Sequence, residues 1–186
     1  MTKPELPPKV LRELWSALPP DGDRRAMELH VASRRVFATM WEQSERALEV
    51  YARIAKKFPR ATVVVHKRLG ALSWQLRVLE VHRKSKFVPE SVDAEILRLA
   101  RLCVDEVPKR FKANSPFGAT CIEAWYRGNL ALARETGFGK SAQLKQFVRA
   151  MESYQRSPRT HMEGQLKSTS RVKVLFELGR KAPWFR

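Results

Sequence analysis

The chain has 186 residues, in which 36 Lys and Arg outnumber 19 Asp and Glu to give a formal net charge of +17. This length suits one domain with a hydrophobic core, and a hydrophobic content of 44% is more than a disordered chain carries. The only cysteines are Cys103 and Cys121, which excludes a disulfide scaffold and a four-cysteine zinc site. The sequence shows neither the apolar run of a signal peptide nor the ~20 apolar residues of a membrane span. These features predict a soluble, strongly basic cytoplasmic protein, or alternatively one associated with a nucleoid or a virion.

Helical periodicity dominates the first half of the chain. A short amphipathic segment over 9–18 ends at two prolines, and apolar residues then recur at three- and four-residue steps along 24–58. Residues 62–86 carry apolar side chains on two sides of a helix, which predicts that this helix lies at the centre of a bundle. Because the β-branched residues over 62–65 also favour a strand, a strand is the competing interpretation there.

Capping residues mark the helices of the second half. Ser91 is the expected cap of a helix that ends near the next proline. Ser115 precedes a proline at the first helical position, which predicts a helix that ends at Gly137. Ser141 begins the helix that follows, and a last helix is expected over 170–181. The pattern predicts an all-α protein, a multi-helix bundle of about six or seven helices with two long central helices, in a single domain over all 186 residues.

The excess positive charge is concentrated in two zones. Residues 62–90 hold six basic and two acidic side chains, and residues 141–186 hold ten and three, so these zones supply +4 and +7 of the total. An excess beyond ~8 is unusual for a small domain because of self-repulsion, which favours a counter-charged partner. Lys and Arg displace condensed counterions from phosphates, so we expect nucleic acid, either RNA or DNA, rather than an anionic membrane or no polyanion at all.

Two sets of basic residues are the candidate nucleic-acid contacts. The first set, called the helix track below, belongs to the predicted central helix and comprises Lys67, Arg68, Arg77, Arg83, Lys84 and Lys86. On a helix, the spacings between these residues point their side chains in directions that coincide only partly. They therefore predict a broad strip of positive charge. The second set, called the C-terminal clamp, comprises Arg156, Arg159, Lys167, Arg171 and Lys173. It lies in a polar stretch over 156–173 that is typical of a mobile basic loop or arm, with a disordered connector as the alternative.

Other basic and aromatic residues have a structural explanation at least as good as a functional one. Lys109-Arg110-Phe111-Lys112 follows a predicted helix end, where cations complement the helix dipole. Apolar surroundings on helix faces are typical of core residues, and the tryptophans expected in the core are Trp15, Trp41, Trp74 and Trp125. Trp184, close to the last residue, is expected to dock on the domain or on a neighbouring subunit.

The sequence contains no catalytic constellation. Residues 136–141, Thr-Gly-Phe-Gly-Lys-Ser, resemble the end of a phosphate-binding Walker loop, but Arg134 stands where that pattern has its first Gly and a helix precedes the segment. A helix end followed by the capping Ser141 explains the segment better. The four histidines lack a metal-binding spacing, and Cys103 lies on an apolar face like a small buried hydrophobe. We therefore expect no enzyme activity, no cofactor and no metal.

The leading hypothesis is a non-enzymatic helical protein that binds the nucleic-acid backbone with little sequence specificity, as a subunit of a larger nucleoprotein assembly. Its size and charge are similar to those of small helical subunits of CRISPR effector complexes and of filamentous-virus coat proteins, an architectural analogy without a shared motif. One alternative is a helix-turn-helix DNA-binding regulator over 119–156, with Gln143, Lys145, Gln146 and Arg149 available for base edges. Another alternative is a protein-interaction adaptor whose long helices dock onto an acidic partner.

Overall fold

The described part of the chain consists of helices joined by turns. The structure, a computed structural model, describes residues 6–18, 34–83, 91–156 and 162–185, and of residues 34–37 and 162–168 only the backbone. Its helices are α1 (Pro8–Ser16), α2 (Arg34–Lys57), α3 (Thr62–His82), α4 (Val92–Asp105), α5 (Pro116–Glu135), α6 (Ala142–Gln155) and α7 (Met162–Lys181), followed by a 3₁₀ turn (Pro183–Phe185). No residue in the described ranges belongs to a β-strand, which confirms the all-α bundle. The strand interpretation of residues 62–65 is wrong, because α3 begins at Thr62.

Internal contacts divide the chain into two units, Met1–Glu95 and Ile96–Arg186. The first unit contains α1, α2, α3 and the first turn of α4, and the second contains the rest of α4 with α5, α6 and α7. The single domain over all 186 residues stays a prediction. Among the described helices, none combines the length and the hydropathy that crossing a membrane requires.

Helix α3 is the core of the first unit. Along 71–79 it has no polar face, because every residue of this stretch except Arg77 is buried. Helix α2 packs along α3 and contributes the buried side chains of Met40, Tyr51 and Ile54. The central position predicted for this helix is thus confirmed within the first unit.

A buried amide joins α3 to α2. Gln75 is fully buried, and its Nε2 donates hydrogen bonds to Ser44 Oγ at 2.7 Å and to Glu45 Oε1 at 3.1 Å. Ser44 is also fully buried and donates its hydroxyl to Trp41 O at 2.8 Å. Because a buried amide without partners costs free energy, these bonds specify how the two helices align.

Trp15 and Val81 depart from the sequence-based prediction. Their helical spacing predicts buried positions, yet Trp15 is 60% exposed and Val81 is 62% exposed. Helix α1 buries Leu14 instead of Trp15, and an ion pair between Glu13 and Arg53 joins α1 to α2. Val81 lies in the last turn of α3, beyond the buried stretch of that helix. Periodicity therefore identified the helices but not the ends of their buried faces.

Trp125 of α5 lies at the centre of the second unit. Its indole stacks on the ring of Phe176 of α7, with the ring centroids 4.5 Å apart and the planes 12° apart. A Cβ at Gly179 would lie 2.8 Å from Trp125 Nε1, so α7 approaches this closely because residue 179 has no side chain. Trp184 donates its Nε1 hydrogen to Asn129 Oδ1 at 3.1 Å, and Asn129 Nδ2 donates to Trp125 O at 2.9 Å. The core position of Trp125 and the docking of Trp184 on the domain are confirmed.

The capping residues of α5 and α6 act as the sequence predicts. Ser115 Oγ accepts a hydrogen bond from the backbone N–H three residues later at 2.9 Å, and Ser141 Oγ does the same at 3.1 Å. At the end of α5, Gly137 has a φ of +88° and the Phe138 N–H donates to Ala133 O at 2.7 Å, as in a Schellman motif. The segment between the two helices is thus a helix end followed by a helix cap.

Helix α7 begins earlier than predicted. The sequence predicts a loop or arm over 156–173, whereas α7 runs from Met162 to Lys181, so the loop interpretation is wrong for residues 162–173. The buried side chains of Val172 and Phe176 hold this helix against the core. Its earlier turns continue the same helix, and the one Gly among them makes helix formation less favourable by only ~1 kcal/mol. Residues 24–33, 84–86 and 157–161, which the sequence places in helices or in the arm, lie outside the described residues.

Gly128→Ala is expected to lower the free energy of unfolding by about 1–3 kcal/mol. A Cβ at residue 128 of α5 would lie 2.6 Å from Ala100 O and 2.7 Å from Val104 Cγ2 of α4, so the two helices would have to separate. Gly70→Ala in α3 is the matched control, because nothing outside its own helix lies within 4 Å of its Cβ. This control should gain about 0.5–1 kcal/mol from helix propensity. Guanidinium denaturation followed by circular dichroism measures both, and equal effects would contradict the packing of α5 on α4.

Candidate nucleic-acid interface

Two members of the helix track contact their own unit. Lys67 Nζ lies 3.6 Å from the centroid of the Trp15 ring, a cation–π contact. Arg68 Nη1 donates a hydrogen bond to Leu48 O of α2 at 3.3 Å. Burial, and next the charge of Lys67, lower the pKa of the adjacent His66. These contacts give Lys67 and Arg68 a structural role in the first unit.

The described members of the helix track do not form the broad strip that their spacing predicts. Arg68 and Arg77 are nine residues apart on α3, a step that turns the side chains about 180° away from each other. Arg83 follows α3 and forms an ion pair with Asp93 at 2.7 Å. Lys84 and Lys86 lie outside the described residues. A role of these cations in binding nucleic acid stays a prediction, but the single strip is wrong for Arg68 and Arg77.

The C-terminal clamp is only partly described. Arg156 is exposed and pairs with Glu152 at 3.4 Å. Arg171 Nη1 donates a hydrogen bond to Ser153 O at 2.7 Å, so it ties α7 to the end of α6 instead of belonging to a mobile arm. Lys173 is exposed on α7. Arg159 lies outside the described residues, as does the side chain of Lys167.

The second unit contains a groove of about 310 Å³ between α7 and the loop that precedes α5. We call it the cationic groove. The lining side chains that matter for binding are four cations, Lys109, Arg110, Lys173 and Arg180, two aromatic rings, Phe111 and Phe176, and one carboxylate, Glu177. The groove therefore brings one member of the predicted clamp together with three cations that the sequence analysis does not assign to a site.

Helix geometry explains why the α7 residues that line the groove lie together. Lys173, Phe176 and Arg180 occur at steps of three and four residues, so they share one side of α7. Phe176 stacks on Trp125, which holds that side of the helix toward the core. The two cations therefore flank a ring that is fixed in the interior, and the backbone at both positions is fixed with it.

The loop that forms the other side of the groove is held by a close approach of its backbone to α5. A Cβ at Gly118 would lie 2.0 Å from Lys112 O and 2.8 Å from Ala113 O, so the loop folds onto α5 only where residue 118 has no side chain. Ser115 Oγ also donates to Lys112 O at 2.8 Å while it caps α5. The loop that carries Lys109, Arg110 and Phe111 is thus joined to the first turn of α5.

Aromatic rings form the floor of the groove. Phe176 is 7% exposed, and its centroid lies 5.6 Å from that of Phe111, with the two planes inclined by 56°. Phe111 is half-buried and so retains surface on the groove side. The guanidinium carbon of Arg180 lies 5.8 Å from the centroid of Phe176. The floor is therefore apolar and the rim is cationic.

The groove cations form no salt bridge within the described part of the chain, and Glu177 is the one carboxylate that lines the groove with them. Lys109, Arg110, Lys173 and Arg180 are exposed, and none of them forms a salt bridge with Glu177 or with any other described carboxylate. Arg180 lies in the last turn of α7, where the helix dipole favours a cation. The same explanation is wrong for Lys109 and Arg110, because α4 ends at Asp105 and the dipole acts only within the last turn.

The sequence contains a signal for this groove in Lys109-Arg110-Phe111-Lys112, where cations alternate with an aromatic residue. Sequence analysis missed it, because a helix end offers a structural reason for cations until the end of the helix is known. Arg180 gives no such signal. It reaches the groove only through the packing of α7 against α5, which joins parts of the chain about 70 residues apart.

Helix α6 presents the polar face that a recognition helix requires. Gln143, Lys145, Gln146 and Arg149 are exposed or half-exposed, and the packing side chains Leu144, Phe147 and Met151 are buried. Six residues separate α5 from α6, whereas a helix-turn-helix has a turn of ~3–4 residues. The face therefore fits the helix-turn-helix hypothesis, and the turn does not.

Both cysteines lie in the interior of the second unit. Cys103 and Cys121 are fully buried, and burial raises the pKa of the Cys121 thiol from 9.0 to about 12. Since the thiolate is the nucleophile, Cys121 is inert near neutral pH. No group of three or more His, Cys, Asp or Glu side chains in the described ranges is placed to hold a metal ion.

Comparisons with protein-family models, with curated proteins and with solved structures find no match to this chain. The chemistry of its own residues is therefore the basis for assigning a function.

Neither cysteine is expected to react with iodoacetamide in the native protein at pH 7–8. Both thiols are fully buried, and the raised pKa of Cys121 keeps that thiol protonated. Mass spectrometry after timed labelling measures this, and the same protein in guanidinium, where both cysteines should be labelled, is the control. Rapid labelling of Cys121 in the native protein would contradict the burial of this side chain.

Proposed function

We propose that this protein binds nucleic acid through its phosphate backbone, without catalysis, and that the cationic groove of the second unit is its principal contact surface. The observation that carries the proposal is a cluster of four cations around an aromatic floor, with no salt bridge to a described carboxylate. Clusters of this kind cost electrostatic free energy unless a polyanion neutralises them. Phosphates do so with a gain in free energy from released counterions.

The distribution of charge supports the same partner. Residues 141–186 carry ten basic and three acidic side chains, and this segment includes the α7 side of the groove. An acidic protein partner is the main competitor, since carboxylates also neutralise cations. Arg83, the one member of the helix track that is exposed in the described ranges, is a secondary contact in this proposal because a surface ion pair is worth only ~0–1 kcal/mol and exchanges easily for a phosphate. A protein of this size that binds backbone is suited to act as a subunit of a nucleoprotein assembly.

The test is the salt dependence of binding by groove variants. Lys173→Gln/Arg180→Gln should reduce the slope of log K against log salt by about 1.5, since each phosphate contact contributes ~0.7–0.9. Lys109→Gln/Arg110→Gln should act similarly, and both should do so for unrelated sequences. Lys145→Gln/Arg149→Gln on α6 is the matched control, because it removes the same charge from a solvent-facing helix side outside the groove. Fluorescence anisotropy with mixed-sequence single-stranded and duplex probes measures the slopes.

Three outcomes decide between the hypotheses. Absence of binding at low salt, or slopes unchanged in both groove variants, would contradict the proposal. A larger loss in the Lys145/Arg149 variant, together with footprinting that protects a defined half-site, would favour the helix-turn-helix regulator, which the polar face of α6 supports as a second candidate. A hetero-complex that survives nuclease treatment on a sizing column would favour the adaptor.

A further inference from the structure

Phe111 is the feature of the cationic groove that backbone binding leaves unexplained. Phosphates need cations and hydrogen-bond donors, and a ring contributes nothing to them. Phe111 is nevertheless half-buried between Lys109-Arg110 and the α7 side of the groove. The second ring, Phe176, has one face covered by Trp125 and is only 7% exposed. Phe111 is therefore the ring of this site that a ligand can reach.

A planar ring beside cations matches an unpaired nucleotide. Every base has a π face that stacks on an aromatic side chain, and this contact tolerates any sequence. In a duplex the bases are already stacked on each other, so its phosphates can meet the rim of the groove while its bases cannot reach Phe111. A groove of about 310 Å³ lies at the lower end of the range of small-ligand pockets, ~300–1,000 Å³, which gives room for one nucleotide and not for a duplex.

The cations are placed to hold the phosphates on both sides of a stacked base. Lys173 and Arg180 are seven residues apart on α7, so their backbone positions are separated by about 10 Å at 1.5 Å per residue. Lys109 and Arg110 approach from the opposite loop, directly before Phe111 in the sequence. The ring therefore has cations on the loop side and on the helix side.

We propose that the cationic groove is a binding site for single-stranded nucleic acid, in which Phe111 stacks on one unpaired base while Lys109, Arg110, Lys173 and Arg180 contact the flanking phosphates. This inference rests on the proposed backbone binding and adds the strandedness of the ligand. It assigns to Phe111 the preference for single strands, and to the four cations the affinity that both single strands and duplexes share.

The experiment compares single-strand and duplex binding of Phe111 variants at one salt concentration. Phe111→Ala should weaken binding of a mixed-sequence 20-nucleotide single strand about tenfold and leave binding of the corresponding duplex within about twofold. The salt slope should not change, because no charge is removed. Phe111→Tyr should bind like the wild type, since it keeps the ring. Phe185→Ala is the matched control, because Phe185 contacts Trp125 but does not line the groove, so this variant reports any effect of loosening the aromatic cluster without removing a groove ring.

Phe111→Leu separates stacking from folding. It keeps an apolar side chain against Phe176, so the groove remains packed, but it offers no planar face. Circular dichroism and thermal melting verify that each variant is folded. Loss of single-strand affinity in the Leu variant with retention in the Tyr variant supports the proposal.

Two results would overturn the single-strand site while leaving backbone binding intact. One is equal affinity of the wild type for single strand and duplex, with no change in either on Phe111→Leu. The other is competition by poly-glutamate as effective as competition by unlabelled single strand, which would mean that charge alone fills the groove. Failure of the wild type to bind any nucleic acid would instead overturn the proposed function itself.

Discussion

The stack of Trp125 on Phe176 is the contact on which the candidate site depends. Gly179 lets α7 approach the indole, and hydrogen bonds from Trp184 to Asn129 and from Asn129 to the backbone carbonyl of Trp125 join the C-terminal turn to α5. Because Lys173 and Arg180 lie within four residues of Phe176, the packing that fixes this ring also fixes the backbone that carries the two cations. Phe111 packs on the same ring from the loop side. The aromatic cluster thus joins the two sides of the groove, and the proposed binding would then require little ordering of backbone.

The cations of this protein differ in whether they already have a partner within the fold. In the first unit Lys67 lies over Trp15, Arg68 bonds to a backbone carbonyl, and Arg53 pairs with Glu13. In the second unit the cations of the groove have no described carboxylate partner. Exposed ion pairs contribute little free energy, so paired cations remain usable as secondary contacts. Cations without partners, however, gain most from a polyanion. The formal charge of +17 predicts such a partner, and the unpaired cations of the groove are the basis for proposing where it binds.

The sequence predicted those features of the fold that depend on neighbouring residues. The period of apolar residues indicated the helices of the first half, and capping residues such as Ser115 and Ser141, with Gly137 at a helix end, indicated those of the second half, because capping depends on a few neighbouring residues. The predictions were wrong where contacts between distant parts of the chain determine the structure. The polar start of α7 is helical because Val172 and Phe176 anchor it further along, and Trp15 is exposed because α1 buries Leu14 instead. The cationic groove joins a loop near residue 110 to a helix near residue 176, and no spacing in the sequence encodes that contact.

Glu177 is a lining residue of the groove that the proposed backbone binding does not explain. It lies on α7 between Lys173 and Arg180, where a carboxylate repels a phosphate and weakens any purely electrostatic site. An acidic peptide offers further carboxylates, which Glu177 repels. Adenine, cytosine and guanine carry exocyclic amino groups that can donate hydrogen bonds to a carboxylate, and every base carries a π face that can stack on phenylalanine. A duplex hides those faces, and an unpaired strand exposes them. The proposed single-strand site therefore accounts for the four cations, the accessible ring and the carboxylate together, which a site for a duplex or an acidic peptide does not.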